Sequence, residues 1–363
     1  MMKTTRTIAL VWILCVGCGT LAEAVCAGTS VQAFGAKGDG HTDDTAAIQS
    51  AISAAGAAGG SVVFNAARYF TTGTFVVPTG VILCGSVEGP FDDGSGVNPA
   101  VATIAPTLLV TNTSAPFITL NGINAGVADL LFHYPNQVSS SASAPNVYPF
   151  TIVANSPGTK VVRSMATNAY NFLDIESGRV IAKDLFIGAY NIGINIDHAQ
   201  DHVTVHNVIQ TVFWDAWDNA YPTTIDAWVL NHGIALVVNR ADSLDVHNFV
   251  LFHRYAGMLL TDSPDTTQST RCGYGSGSDI NFDTVQYGFI VSASSAAGYE
   301  FTNVIIGSGN GGQAAVQVKS GGSLPPDILV DGGSVRGSWS SGPFPTPAAG
   351  HLTAVNIIGF DLP

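Results

Sequence analysis

The residues best suited to chemistry fall in one stretch, TVFWDAWDNAYPTTIDAWVLNH, from Thr211 to His232. It interleaves Trp214, Trp217, Tyr221 and Trp228 with Asp215, Asp218 and Asp226. Sugar rings present apolar C–H faces, and indole rings stack on such faces. Two carboxylates a few ångströms apart supply the proton donor and the base or nucleophile of glycoside chemistry. Asp215 and Asp218 are close enough in sequence for such a pair, and Asp197 on the preceding repeat is a third acid/base candidate. Trp214, Trp217, Trp228 and Tyr221 are candidate ring platforms. A rival reading has the Trp cluster packing the insertion onto the scaffold.

Other polar residues offer weaker patterns. His206 and His247 occupy matching places in two related segments, VTVHNVI and LDVHNFV. With Lys183, Asp283, Thr302 and Asp331 they make a polar stripe that suits sugar hydroxyls or acid/base work, or an ordinary solvated sheet. Arg240 and Arg254 are the first candidates to bind an anionic substrate. His198, His202 and His206 recur every fourth residue, but on a strand that spacing does not converge on one ion. No metal site is expected.

Composition narrows the setting. The 363 residues include 40 Gly, only 11% are charged, and the formal net charge is −13. Such a surface repels nucleic acid and anionic membranes. Lys3 and Arg6, an apolar run from Ile8 to Leu21, and Ala22-Glu23-Ala24 have the layout of a secretory signal peptide covering residues 1–24. The expected destination is therefore the exterior or a periplasm, with a lipid anchor on Cys18 as the lesser alternative. The apolar run is short for a membrane span. Cys26, Cys84 and Cys272 remain in the mature chain, an odd number that fixes no disulfide pairing.

Beyond residue 24 the chain reads as one domain of stacked coils. Thr42, Asp43 or Asp44 can start an Ala-rich helix that Gly59-Gly60 ends. From about Gly126 a strand pattern recurs, apolar-x-apolar-x-polar-apolar, with its polar bend at Asp129, Asp184, Asn207, Asn248, Thr284, Asn303, Gly332 and Asn356. The nearest copies lie about 20 residues apart, which signals a solenoid. Asn and Asp suit a tight bend because they bond to nearby backbone and tolerate left-handed geometry. The expected fold is all-β: a single-stranded right-handed parallel β-helix with an N-terminal α-helical cap.

FGAKGDGHTDDTAAIQSAISAA, GGSVVF, Tyr69 and GTFVVPTGVILCGS, within Val31 to Ser86, resemble the opening of the pectate-lyase superfamily. The resemblance implies the capped β-helix and a secreted polysaccharide hydrolase or lyase acting in a groove along the coils. It implies no cofactor for a hydrolase and calcium for a lyase. Its acidic residues Asp39, Asp43 and Asp44 are read as scaffold. Polygalacturonases of this superfamily carry N-x-D, D-D, G-H-G and R-x-K. This chain offers Asn195-Ile196-Asp197 and the partial match Asn231-His232-Gly233, with no D-D past residue 100 and no R-x-K. The partner expected is a polysaccharide or oligosaccharide, and the alternative is a glycan-binding protein that lacks the chemistry.

Overall fold

The computed structural model describes residues 26–91, 105–137, 144–212, 223–309, 311–319, 321–343 and 354–361. Residues 1–25, with the segment read as an export signal and Cys18, and residues 213–222 of the Trp-rich insertion, with Trp214, Asp215, Trp217, Asp218 and Tyr221, lie outside the described residues.

Among the described residues every strand pairing is parallel, and most strands pair with one about a coil earlier and one about a coil later, the signature of a parallel β-helix. Val161, Ala182, Val205, Val246, Gly277, Phe301 and Val330 stand opposite one another in successive coils. All but the glycine are fully buried side chains. Gly277 sits where a β-carbon would meet the Phe301 ring at 3.0 Å, so the large side chain of the next coil fills the space that the glycine leaves. Alternation along each strand sends one set of residues into this column and the other set outward.

In the coils that begin at Gly126, Lys160, Val180, Val203, Leu244, Gly275 and Tyr299, the bend between the first strand of the coil and the next falls at a single residue with positive φ. Asp129, Arg163, Asp184, Asn207, Asn248, Asp279 and Asn303 all take φ of 45° to 58° there. Their side chains bond from coil to coil. Asn207 Nδ2 donates to Asp184 Oδ1 at 2.8 Å and Asn248 Nδ2 to Asn207 Oδ1 at 3.2 Å. Asn303 Nδ2 donates to Asp279 Oδ1 at 2.5 Å, and Arg163 Nε to Asp129 Oδ1 at 2.8 Å. Short polar side chains offset the cost of left-handed backbone by such bonds.

The sequence pattern misplaces two copies of the repeat: Asn356 lies opposite Leu329, with Gly359 in line with Gly332, and the Thr284 copy falls five residues too late. Thr284 and Asp283 do not continue the column of Asn248 and His247; Asp279 and Ser278 do, with His247 paired to Ser278. The reason is that Gly275 and Gly277 occupy the inward places, so the segment lacks the apolar alternation that marks the other copies.

Aromatic rings fill the interior of the early coils. Phe75, Phe117, Phe132 and Phe172 follow one another at centroid separations of 5.3, 6.2 and 6.3 Å. Burying each such ring contributes about 1.5–3 kcal/mol. At the N-terminal end, helix α1 (Thr45–Ala58) buries Ile48, Ala51, Ile52 and Ala55. Its face rests on the strands Gly28–Ser30 and Gly60–Phe64. The acidic residues before it are engaged locally. Asp44 accepts the amides of Lys37 and Gly38 at 2.6 and 3.0 Å, and Asp39 those of His41 and Thr42 at 2.9 and 2.7 Å. A disulfide joins Cys26 to Cys84, and Cys272 is a free, buried thiol. Among the described residues no helix is long and apolar enough to cross a membrane.

Candidate functional site

The third sheet of the coils ends in a column of polar residues. Two neighbouring strands, Lys160–Ile175 and Val180–Ile196, pair Asp174 with Asn195 and Ile175 with Ile196. Asp174-Ile175-Glu176 therefore lies alongside Asn195-Ile196-Asp197, and alternation turns both isoleucines inward and the four polar side chains outward. Asn195 Nδ2 donates to Asp174 Oδ1 at 2.7 Å, and Asn239 Nδ2 on the following coil donates to Asn195 Oδ1 at 3.0 Å.

His198 ties the cluster together. Its Nδ1 lies 2.6 Å from Glu176 Oε2, and its Nε2 lies 3.0 Å from Asp265 Oδ2. The His198 residue takes positive φ, 51°, which swings the ring back over the column. Asp265 belongs to the long connection after Thr261. The same connection sends Ser263 Oγ to Asp197 Oδ2 at 2.7 Å and Gln268 Nε2 to Asp197 Oδ1 at 3.2 Å.

This crowding of acids alters their proton affinities. Burial pushes the Glu176 carboxyl up to about 7, and the neighbouring Asp174 charge adds to the effect. Asp174 is raised as well, chiefly by burial, with the Asp197 charge adding to it. The bond to Asp265 raises His198 above its ordinary value, and Asp265 in turn is held down at about 2. The arrangement thus has a carboxyl that holds its proton near neutrality and an imidazolium that keeps a second carboxylate ionised. That is the pattern by which environments separate an acid from a base.

Of the residues picked out from sequence, Asp197 belongs to this cluster but is only 3% exposed. Its oxygens are taken by Ser263, Gln268 and the His198 amide, so it anchors the connection and does not present itself to a substrate. Arg254 is fully buried, with its guanidinium on the Ala189 and Tyr190 carbonyls, so it offers no surface to an anionic sugar. Arg240 is 7% exposed and is committed to Thr270 O at 2.8 Å, Gln268 Oε1 and Asp242.

Trp228 lies on helix α2 (Thr223–His232). It is half-buried, leans on a small cluster of Tyr190, Val212, Ile225 and Val229, and stacks on His232 with centroids 4.4 Å apart. His206 and His247 lie on the first sheet, away from this column. They pair in register beside a depression of about 430 Å³. His206 Nε2 is 2.8 Å from Asp245, and His247 Nδ1 is 2.8 Å from Ser278 Oγ.

Asp174, Glu176, His198 and Asp265 were not singled out from the sequence as site residues. The signal was present: Leu-Asp-Ile-Glu and Ile-Asn-Ile-Asp end two copies of one strand pattern 21 residues apart. Extending the alignment one residue past Ile175 places the two acids side by side. Asp265 could not be found this way, because a long connection brings it from 67 residues beyond His198.

Comparison with curated protein sequences finds no match. Among solved structures, the chain is similar to a hyperthermoactive exopolygalacturonase from Thermotoga maritima, with 10% identity, a TM-score of 0.53, and coverage of 86% of this chain and 83% of that one. It is also similar to the pre-mature gene product 12 of bacteriophage phi29, with 11% identity, a TM-score of 0.56, and coverage of 92% of this chain but 45% of that one. A third is the tailspike gp49 of the Acinetobacter baumannii bacteriophage Fri1, a capsular polysaccharide depolymerase, with 11% identity, a TM-score of 0.52, and coverage of 88% and 64%. At these identities the likeness is one of fold. In sequence, residues 28–231 match the model of the family described as rhamnogalacturonase A/epimerase, pectate lyase-like. With more than half of its length matched, the chain belongs to that family.

Proposed function

We propose that this chain is a secreted polysaccharide-cleaving enzyme, a hydrolase of a neutral or weakly charged glycan, with Glu176 as general acid. The observation that carries the reading is the half-buried Glu176 carboxyl, raised to about 7 and held 2.6 Å from the His198 ring. Glu176 protonates the leaving glycosidic oxygen as that bond breaks. A water adds to the anomeric carbon and gives its proton to a second carboxylate, for which the ionised Asp265 is the candidate. The imidazole between the two acids limits the gap between their facing oxygens to roughly 8 Å, within the carboxyl spacings of glycoside hydrolysis. Elimination from a uronate needs cations to hold the acid group, and Arg240 and Arg254 are committed elsewhere. As a hydrolase the chain is expected to work without calcium, which an eliminating enzyme would need in place of such cations.

The setting supports the reading. We take residues 1–24 as an export signal and residues 25–363 as one right-handed β-helix domain capped by α1. The Cys26–Cys84 disulfide suits an oxidising destination. Asp215, Asp218, Trp214, Trp217 and Tyr221 remain proposed contributors from the Trp-rich insertion, and His206 and His247 proposed sugar contacts on another face. A second reading, glycan binding without turnover, draws on how fully the Asp197 carboxylate is occupied. A panel of polysaccharides separates the two, assayed for reducing ends and for the absorbance of unsaturated products, with and without chelator. Reducing ends without unsaturated product, insensitive to chelator, are expected; binding with neither product would favour the second reading.

A further inference from the structure

At the end of the third sheet, the first residue past each strand donates its amide to the coil before, which defines a column of Asn121, Asn155, Glu176, Asp197, Asn239 and Thr261. Exposure changes along it. Asn121 and Asn155 are exposed and Glu176 is half-buried, but Asp197 and Asn239 are 3% and 8% exposed. The cause is the connection after Thr261. Elsewhere such connections are short, as from Glu176 to Arg179. This one runs through residues 262–274 and folds back across the two preceding coils, roughly 10 Å at the parallel-strand spacing.

The strap is fastened at several points. Ser263 and Gln268 hold Asp197, Asp265 meets His198, and Arg240 reaches up to Gln268 and the Thr270 carbonyl. It is also closed on itself: the Ser263 amide donates to Arg271 O at 2.6 Å, and the Arg271 guanidinium returns to Ser263 O at 2.6 Å. The face beside Glu176 is therefore open at Asn155 and Asn121 and covered by the strap at Asp197 and Asn239.

We infer that a glycan-binding groove runs along this face and that the strap makes it blind at one end, so that the site receives a glycan by its terminus, entering from the Asn155 side. A glycan laid along the coils advances about one sugar per 4.8 Å coil step. It can run from Glu176 back past Asn155 and Asn121, but it meets the strap if it continues past Asp197. The strap is thus a specificity element: it selects chain ends over internal bonds. This step rests on the reading of Glu176 as the cleaving acid.

The test uses the full chain with Asn155→Cys or Asn239→Cys, each treated with a polyethylene-glycol maleimide. Labelling at position 155 is expected to be about 100-fold faster than at 239, since the latter needs local opening. Adding Gln268→Ala should speed labelling at 239 about tenfold. Equal rates at the two positions would overturn the roof. In the unsubstituted chain, amides of residues 261–274 should exchange slowly with deuterium, and exchange as fast as an unstructured loop would overturn it too. Laminarin, arabinan and galactan, all neutral, then serve as polymers, with viscosity followed against reducing ends. A slow viscosity loss per bond cut is expected, and an early collapse of viscosity would overturn end selection. Turnover of none of them would overturn the chain-end step together with the Glu176 reading, while the labelling ratio would still decide whether the groove is roofed.

Discussion

At the scale of single residues, the account turns on one proton. Glu176 carries it because burial and the Asp174 charge oppose ionisation, and His198 shares in holding the site's charge. Turnover is therefore expected to be high below neutrality and to fall as pH rises through about 7, measured as kcat/KM against pH. Stability follows the same sign. Glu176 has a folded pKa of about 7 against an ordinary 4.5, and His198 is raised as well. The stability each confers is complete below its unfolded value and is lost as pH rises through its folded one. Relative to the parent, Glu176→Gln should then gain melting temperature on going from pH 4 to pH 8, and a loss over that range would contradict the assigned shift. The residue-level chemistry was only partly legible in the sequence. Asp197 was visible through the N-x-D pattern, but its burial under Ser263 and Gln268 depends on a connection that no local pattern announces. Arg254 looked like a surface cation because strand alternation near a bend does not say which side of the sheet a long side chain reaches.

At the scale of elements, the recurring bend is what keeps successive coils in register. Asn207 stands in its middle, bonded to Asp184 below and Asn248 above, at φ 53°. Asn207→Ala removes both bonds and leaves a β-carbon in left-handed backbone. It should lower unfolding stability by about 2 kcal/mol, read from a urea titration. Asn207→Gly, which relaxes the backbone, should lose less. The bend was legible in most copies where the apolar alternation around it was intact, and misplaced where Gly275 and Gly277 replaced it. Helix α2 shows the other limit. Its Trp228 was expected either to stack on sugars or to pack, and it packs in part, with one face on His232. Trp228→Ala should loosen α2, seen as faster amide exchange across residues 225–232 with little change in the coils beneath.

At the scale of the molecule, the stack is a quasi-linear array whose ends are its weak points, since each coil is supported by its neighbours. The Cys26–Cys84 bond spans 58 residues and ties the start of the first coil to a later one. Loop-closure entropy assigns such a link about 4 kcal/mol. Cys26→Ser should lower the melting temperature, and reduction should do so only in the parent chain. The overall architecture was the most legible level, because a 20-residue period and inward Val, Ile and Phe recur over most of the chain and tolerate two misplaced copies. The site was less so, because it assembles from two coils and a strap that the period does not encode. The most direct test of the account is the activity of Glu176→Gln on the polysaccharide that the parent cleaves best. Loss of turnover by a factor of about 10² to 10⁴, with the melting curve at pH 5 preserved, is the predicted result. Turnover at the parental rate with the parental pH profile would contradict it.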